Sequence, residues 1–283
     1  MADFLMREGS PLTEAEWAKI DEAVVNAARH HLVGRRVLHI YGPLGPGLEV
    51  VHTDVYAPPG KGAVDPDGET EDNVVEFSER SYTPLAMVHK DFRIAWRDLE
   101  MSRQIDLPLD TAPAATAAVL AARAEDDLIF HGNKELGISG LANVPGSCKI
   151  AISNWGTSGA PLDYLTAAVG KLSASGFTQP YAAILSSSLH TMLLRVYKDT
   201  DSLEIAHAKE IMGGGVFESP VLSDGQALVL SLGPQNFDLA VGQDLNTAYL
   251  ESKNLNHYLR VLETVALRIK RPGAICVLGK SAK

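Results

Sequence analysis

The sequence predicts an α+β protein. A capped amphipathic helix opens the chain, an alanine-rich helical rod lies near its middle, and strand-like segments surround both without a regular β–α–β beat. The 283 residues suit one large domain or two small ones and can bury a sizeable core.

Pro11-Leu-Thr13-Glu-Ala-Glu16 is a helix start, in which Thr13 can cap and Glu16 can reach back. Trp17, Ile20, Val24 and Ala27 then recur at helical spacing, and Gly34 stops the helix. Val37–Tyr41 reads as a strand, followed by a turn at 42–47. From Leu48 to Asp91 alternating residues predict a long two-stranded excursion with a polar tip. Lys61–Arg80 holds seven acids and two bases, half of the net charge of −10. An isolated hairpin is marginal in water, so a long charged one needs a surface to lie on, and a neighbouring subunit is the economical answer. Phe92–Arg103 looks helical. Asp110 caps a rod running to Phe130, where eight of the fourteen residues from Thr111 to Ala124 are alanine. Helices are expected at 161–175, 186–198 and 203–212, with Gly213-Gly-Gly215 as the last one's stop. Strands are expected at 181–185, 227–231, 237–241 and 274–278, and a long strand with one wet face around 259–270.

Composition excludes several classes of function. The acidic balance argues against a dedicated nucleic-acid binder. Two cysteines, Cys148 and Cys276, are too few for a disulfide framework and point to a reducing compartment. The first residues show no basic stretch followed by an apolar one, so no signal peptide is expected and the cytoplasm is the expected location. The charge-free run Leu172–Leu194 is broken by Gly176, Pro180, three serines and His190, so no membrane span is expected.

The motif search yields no catalytic constellation. Gly42-Pro-Leu-Gly-Pro-Gly47 lacks the ending of a phosphate-binding loop and reads as a turn. Glu204-Ile-Ala-His207 has the spacing of a di-iron motif but no second pair, which leaves a solvated helix face. Ser186-Ser-Ser-Leu-His190 lacks the glycines of a nucleophile elbow. Asp127 and His131 can pair at a helix end. Cys148 has Lys149 beside it but no cluster of basic groups to make it a thiolate, and no His/Cys cluster has zinc spacing. No metal site is expected, and the chain reads as a scaffold.

Several segments together resemble the family 1 encapsulin shell proteins, the linocin-like family. They are Pro11-Leu-Thr-Glu-Ala-Glu-Trp17 with Ile20-Asp21, Gly34-Arg35-Arg36 before Gly42-Pro43, Glu125-Asp126 with Ile129-Phe130-His131-Gly132, and Gly137-Ile-Ser-Gly-Leu141. Later come Gly176 with Pro180-Tyr181, Phe237-Asp-Leu-Ala-Val-Gly-Gln-Asp-Leu245 and Arg260-Val-Leu-Glu-Thr264. Each is weak alone. Together they run in family order over nearly the whole chain.

The resemblance implies a tailed-phage major capsid fold of the HK-ninety-seven type, one shell protein over 1–283. It implies an N-terminal helix at 12–33, an extended E-loop at 48–91, a P-domain at 92–134 and 225–283, and an A-domain at 135–224. It implies a non-enzymatic subunit of a homo-oligomeric icosahedral nanocompartment in the cytoplasm. Such a shell encloses a cargo enzyme, a ferritin-like iron-storage protein or a dye-decolorising peroxidase, by binding its C-terminal targeting peptide. Iron storage or oxidative-stress defence would be the outcome.

By position, the resemblance places Trp17, Ile20 and Val24 at the peptide groove, with Arg35, Val37, His39, Asp244 and Leu245 beside it. Ordinary core packing is the competing account of the first three. Lys198, Asp199, Thr200, Asp201 and Ser202 would lie at an axial pore, a weakly cation-attracting mouth. Trp96 stands where some members stack a flavin, with a core or interface tryptophan as the alternative, and otherwise no cofactor is expected. A prophage capsid protein enclosing DNA is the alternative function. A bacteriocin-like hydrolase would need a converging nucleophile, base and oxyanion donors that the sequence does not show.

Overall fold

The computed structural model describes residues 4–56, 62–69, 74–105, 107–198 and 200–279. Helix α1 (Glu14–His31) begins as its sequence dictates. The Thr13 hydroxyl accepts from the Glu16 amide at 3.3 Å, and Glu16 Oε2 accepts from the Thr13 amide at 2.7 Å. Strand β1 (His39–Tyr41) follows a short turn. Strands β2 (Val50–Tyr56) and β3 (Phe77–Pro84) then form an antiparallel arm, in register from Val50 opposite Pro84 to Tyr56 opposite Phe77.

Here the structure departs from the sequence reading. The excursion expected to reach Asp91 ends as a separate arm at Pro84. Strand β4 (Ala86–Ile94) joins the main sheet, pairing with the long C-terminal strand from Ala86 opposite Val265 to Ile94 opposite His257. Val88, Phe92 and Ile94 point into the core while Met87, His89 and Arg93 point out, a period of two where a helix from Phe92 was expected. The helix α2 (Trp96–Gln104) starts only after the strand.

The rod is α3 (Ala112–His131), and Asp110 Oδ1 accepts from the Ala112 amide at 2.9 Å. Its small side chains let it sit close, with Ala114, Ala117, Ala118, Ala121 and Ala122 all buried. The hairpin β5 (Gly132–Asn133) and β6 (Ile138–Ser139) closes its end, then β7 (Cys148–Ala151), α4 (Ala160–Ala174) and β8 (Tyr181–Leu185) follow. Helix α5 (Ser187–Met192) is shorter than expected. Helix α6 (Glu204–Met212) runs straight into β9 (Gly213–Glu218), so the glycine run ends a helix and also starts an edge strand. The chain finishes with β10 (Ala227–Ser231), β11 (Phe237–Lys253), β12 (Asn256–Ile269) and β13 (Ile275–Gly279).

Two sheets organise these strands, one in the order β1-β11-β12-β4 and one in the order β7-β13-β10-β8-β9. Helices α1 and α3 pack together on the first sheet, and α4 and α6 on the second. The base of the arm covers β12 from the other side, where Val51, Ala240 and Ala266 form a small second core. From Val261 to Ile269 β12 is therefore buried on both faces, and only its start, with half-buried Arg260, keeps a wet side. Its Arg268 is 7% exposed and forms a double hydrogen bond to buried Asp238, at 2.7 Å each. Among the described residues no helix is long and apolar enough to cross a membrane.

Candidate functional site

A pocket of about 540 Å³ opens between the C-terminal half of α1, the turn after it and a bulge in β11. One stripe of α1, Trp17, Ile20, Val24 and Ala28, faces the core. The neighbouring stripe supplies Val25, Arg29 and Leu32 to the pocket wall, with Ala28 and His30 beside them. Across the opening, the pairing of β11 with β12 shifts register between Val241 and Gln243 and again before Asn246. The shifts leave Asp244 and Leu245 out of the ladder and facing the helix.

Arg35 joins the two walls. Its Nε lies 3.0 and 2.9 Å from the Glu125 carboxylate oxygens, and one Nη lies 2.7 Å from Glu125 and 2.5 Å from Glu263. Its other Nη reaches Asp244 at 2.7 Å. Glu125 and Glu263 are fully buried. Burial, with the charge of Glu125 adding to it, pushes the Glu263 carboxyl well above the usual range against the pull of Arg35. Beneath the turn, Asp126 accepts from the Val33 and Gly34 amides at 3.1 and 2.8 Å. Burial raises its carboxyl to about 7, although the two amides favour the charged form. Gly34 fits closely there, since a Cβ would stand 2.5 Å from Ile129 Cδ1 and force that side chain to move.

The residues expected at a docking groove divide in two. Arg35, Asp244 and Leu245 meet at this pocket. Trp17, Ile20, Val24 and Val37 are 7%, 0%, 1% and 5% exposed, so in the single subunit they pack in the core and do not line the pocket. His39 is exposed on the edge strand β1 and does not line the pocket. Val25, Arg29, His30, Leu32 and Arg36 were missed. The signal for Val25, Arg29 and Leu32 was present, since they repeat at helical spacing one position after the core stripe.

Of the expected pore segment, Asp199 lies outside the described residues. Lys198, Thr200, Asp201 and Ser202 form an exposed to half-buried loop closed by a bridge between Val196 and Leu203 and by the Tyr197 amide donating to Ser202 O at 2.9 Å. Lys198 has φ of 46°, and its Nζ lies 5.2 Å from the Tyr197 ring centroid. Glu204 braces the loop from below. It was expected on a solvated face, yet it is fully buried, accepting from the Gly159 amide at 2.8 Å and the Ser158 hydroxyl at 3.0 Å, with Arg195 at 3.1 Å. His207 pairs with Ser202 Oγ at 2.7 Å and not with Glu204.

Trp96 is a surface ring, 38% exposed at the start of α2, with the Arg97 guanidinium 5.5 Å from its centroid. The serine run forms no triad: Ser188 donates to Asp224, while His190 faces Glu218 at 3.5 Å. Among the described residues no three His, Cys, Asp or Glu side chains converge to hold a metal ion.

Comparison with known proteins gives a consistent result. A family model described as "Encapsulating protein for peroxidase" (Linocin_M18) matches residues 2–266. The type 1 encapsulin shell protein EncA of Myxococcus xanthus is 42% identical over 278 residues, covering 98% of this chain and 97% of that one. The diheme-cytochrome-encapsulin shell fusion protein of Kuenenia stuttgartiensis is 39% identical over 267 residues, covering 94% and 73%. Among solved structures, the virus-like particle from Pyrococcus furiosus superposes with a TM-score of 0.74 at 21% identity, covering 94% of this chain and all (100%) of that one. The capsid of Myoviridae phage XM1 superposes with a TM-score of 0.62 at 13% identity, covering 88% and 92%. The fold is that of phage capsid proteins.

Proposed function

This chain belongs to the encapsulin shell family, and we propose that it is a shell subunit whose copies close into a hollow icosahedral particle around a cargo protein. One observation carries the self-assembly: among its acids the arm holds large apolar side chains that the described residues of its own chain leave exposed. Val64, Val74, Val75 and Tyr82 are 100%, 78%, 78% and 72% exposed, and Phe77 is 47% exposed. Apolar surface of this kind on an extended two-stranded projection marks a contact with another chain. The 42% identity to a shell protein over nearly the full length favours a shell over a DNA-filled capsid, as does the net charge of −10. The relatives bear the names of shell proteins, and the role proposed here is enclosure without catalysis.

The cargo is bound at the pocket between α1 and the β11 bulge. Val25, Leu32 and Leu245 supply an apolar wall, and Arg29 and Arg36 stand on its rim. This chemistry suits an extended peptide with apolar anchors and an acidic group or terminal carboxylate. A ferritin-like iron-storage protein or a dye-decolorising peroxidase carrying such a C-terminal tail is the cargo class, which gives the particle a part in iron storage or oxidative-stress defence. The family description, naming a peroxidase, supports the second. The loop from Lys198 to Ser202 lines an axial pore. A flavin stacked on the exposed Trp96 ring would share it with Arg97, and the visible spectrum of purified particles tests for it.

Negative-stain microscopy and size-exclusion chromatography of the purified chain test assembly. Hollow particles are expected, and a lone monomer at cell-like salt overturns the proposal. Val25→Asp, at a 43% exposed position, should leave the particle intact and abolish capture of a co-expressed tailed cargo. Unchanged loading in Val25→Asp would move the docking site elsewhere.

A further inference from the structure

Cys148 and Cys276 are 128 residues apart in sequence, and nothing in their spacing links them. The second sheet brings them together. Strand β13 pairs in parallel with the edge strand β7, and Cys276 and Cys148 are direct partners in that ladder. Partners in a ladder leave the sheet on one face. Their Sγ atoms are 3.1 Å apart. A disulfide bond is about 2.05 Å long, so the sulfurs must approach by about 1 Å, with the strands already in register. Cys276 is fully buried, while Cys148 is half-buried on the edge strand. Lys171 of α4 donates to Lys149 O at 3.1 Å, and its ammonium opposes the burial that raises the Cys276 thiol.

We infer that Cys148 and Cys276 are an oxidant-responsive pair that closes to an intrachain disulfide and fastens the last strand, β13, to the edge strand β7. The chemistry needs a peroxide. Cys148, as its thiolate, attacks one oxygen of hydrogen peroxide. The O–O bond breaks, hydroxide leaves and takes up a proton to become water, and Cys148 becomes a sulfenic acid. Cys276 Sγ then attacks Cys148 Sγ, the S–O bond breaks, and the Cys276 proton leaves with the hydroxyl as a second water. Two thiols and one peroxide give one disulfide and two waters, the two sulfurs together supplying the two electrons that reduce the peroxide. In a reducing compartment the pair rests as thiols and closes only when peroxide rises. This inference rests on the second sheet alone and does not depend on assembly or cargo.

The test exposes the purified full-length protein to hydrogen peroxide, blocks remaining thiols under denaturing conditions, and reads the digest by mass spectrometry beside a non-reducing gel. The expected result is loss of both free thiols and a cross-linked peptide pair lighter by two hydrogens. A faster-running monomer band and an upward shift of the urea midpoint should accompany it, and dithiothreitol should reverse all of them. Cys148→Ser and Cys148→Ala should show none of these changes. Both thiols still blocked after peroxide, sulfinic acid at Cys148 without a cross-link, or cross-links only between chains would each overturn the inference.

Discussion

Replacing Arg35 by methionine keeps the apolar stem of the side chain and removes the guanidinium on which three carboxylates converge. In the native protein Glu125 and Glu263 are fully buried and Asp244 lies at the pocket edge. Without Arg35, two buried carboxyls stand beside each other with no counter-charge. Glu263 already tends to hold a proton, because burial and Glu125 raise its carboxyl. Arg35→Met forces one further glutamate to do the same. Protonating an ordinary glutamate at pH 7 costs about 1.36 × (7.0 − 4.3), or about 3.7 kcal/mol, and at pH 5 about 1 kcal/mol. The first figure agrees with the ~3–5 kcal/mol typical of breaking a buried ion pair. The sign follows from the raised carboxyl: its stabilising share is complete below the ordinary glutamate range and is lost as pH rises through the raised value. Two such carboxyls make the variant fall more steeply with rising pH than the parent. Urea unfolding of both proteins at matched concentration should show a deficit of ~4 kcal/mol at pH 7 shrinking to ~1 kcal/mol at pH 5. A deficit equal at the two pH values would mean that lost packing, and not buried charge, is what Arg35 supplies.

Glu204→Ala removes the counter-charge of Arg195 and the acceptor of the Gly159 amide, and should cost ~2–4 kcal/mol in thermal unfolding, with faster hydrogen exchange across 195–203. Burial alone would raise the Glu204 carboxyl, but Arg195 and the Gly159 amide outweigh it and hold it below the ordinary value. Its contribution is therefore present above the ordinary glutamate range and is lost as pH falls, so acid should open this loop early, seen as exchange rising there first. Gly132→Ala sets a Cβ 2.2 Å from Ile138 O at a φ of +72°, and should cost at least ~3 kcal/mol, measured as soluble yield and melting temperature. Tyr82→Asp, at a 72% exposed position on the arm, should change monomer stability by less than ~0.5 kcal/mol while lowering particle yield on a sizing column.

What was legible in the sequence was local. The Thr13–Glu16 box and the alanine rod depend on neighbours within a turn or two, and they stand where the sequence puts them. The Gly34 stop does not: the helix ends at His31, and Gly34 opens the short turn that follows. What was hidden depends on partners far along the chain. Phe92–Ile94 carries residues a helix would accept, and pairing with β12 decides for strand. Arg268 looked wet because its partner Asp238 is 30 residues away, and nothing local to Glu263 announces Arg35, 228 residues away. The docking residues show the same limit. Trp17, Ile20 and Val24 share one helical stripe, but periodicity cannot say whether a stripe meets α3 or a ligand. The structure assigns it to α3, so Ile20→Asp would break the core and report nothing about cargo.

Two of the buried charge clusters share a physical role. Both lie along the β11–β12 ribbon, Arg268–Asp238–Lys270 near one end and Arg35–Glu125–Glu263–Asp244 at the bulge. Apolar residues of similar size are often as stable as a buried ion pair or more so, which leaves registration as the better account of why charges stand there. A slip of one residue turns every side chain of a strand to the opposite face, and an apolar ribbon tolerates such a slip far better than a charged one. Here a slip would take Glu263 from Arg35 or Asp238 from Arg268, leaving a buried charge unpaired. The pairing is irregular between Val241 and Asn246, and Arg35 ties α1's end, the rod and both strands together there. The same tie holds Asp244 and Leu245 against α1, so the pocket keeps its shape because the ribbon keeps its register. It follows that Arg35→Met should weaken cargo capture even at pH 5, where most of the stability has returned, because Asp244 has lost its anchor. Full capture by that variant at pH 5 would show that the bulge holds its shape without the charge and that registration is not what the cluster provides.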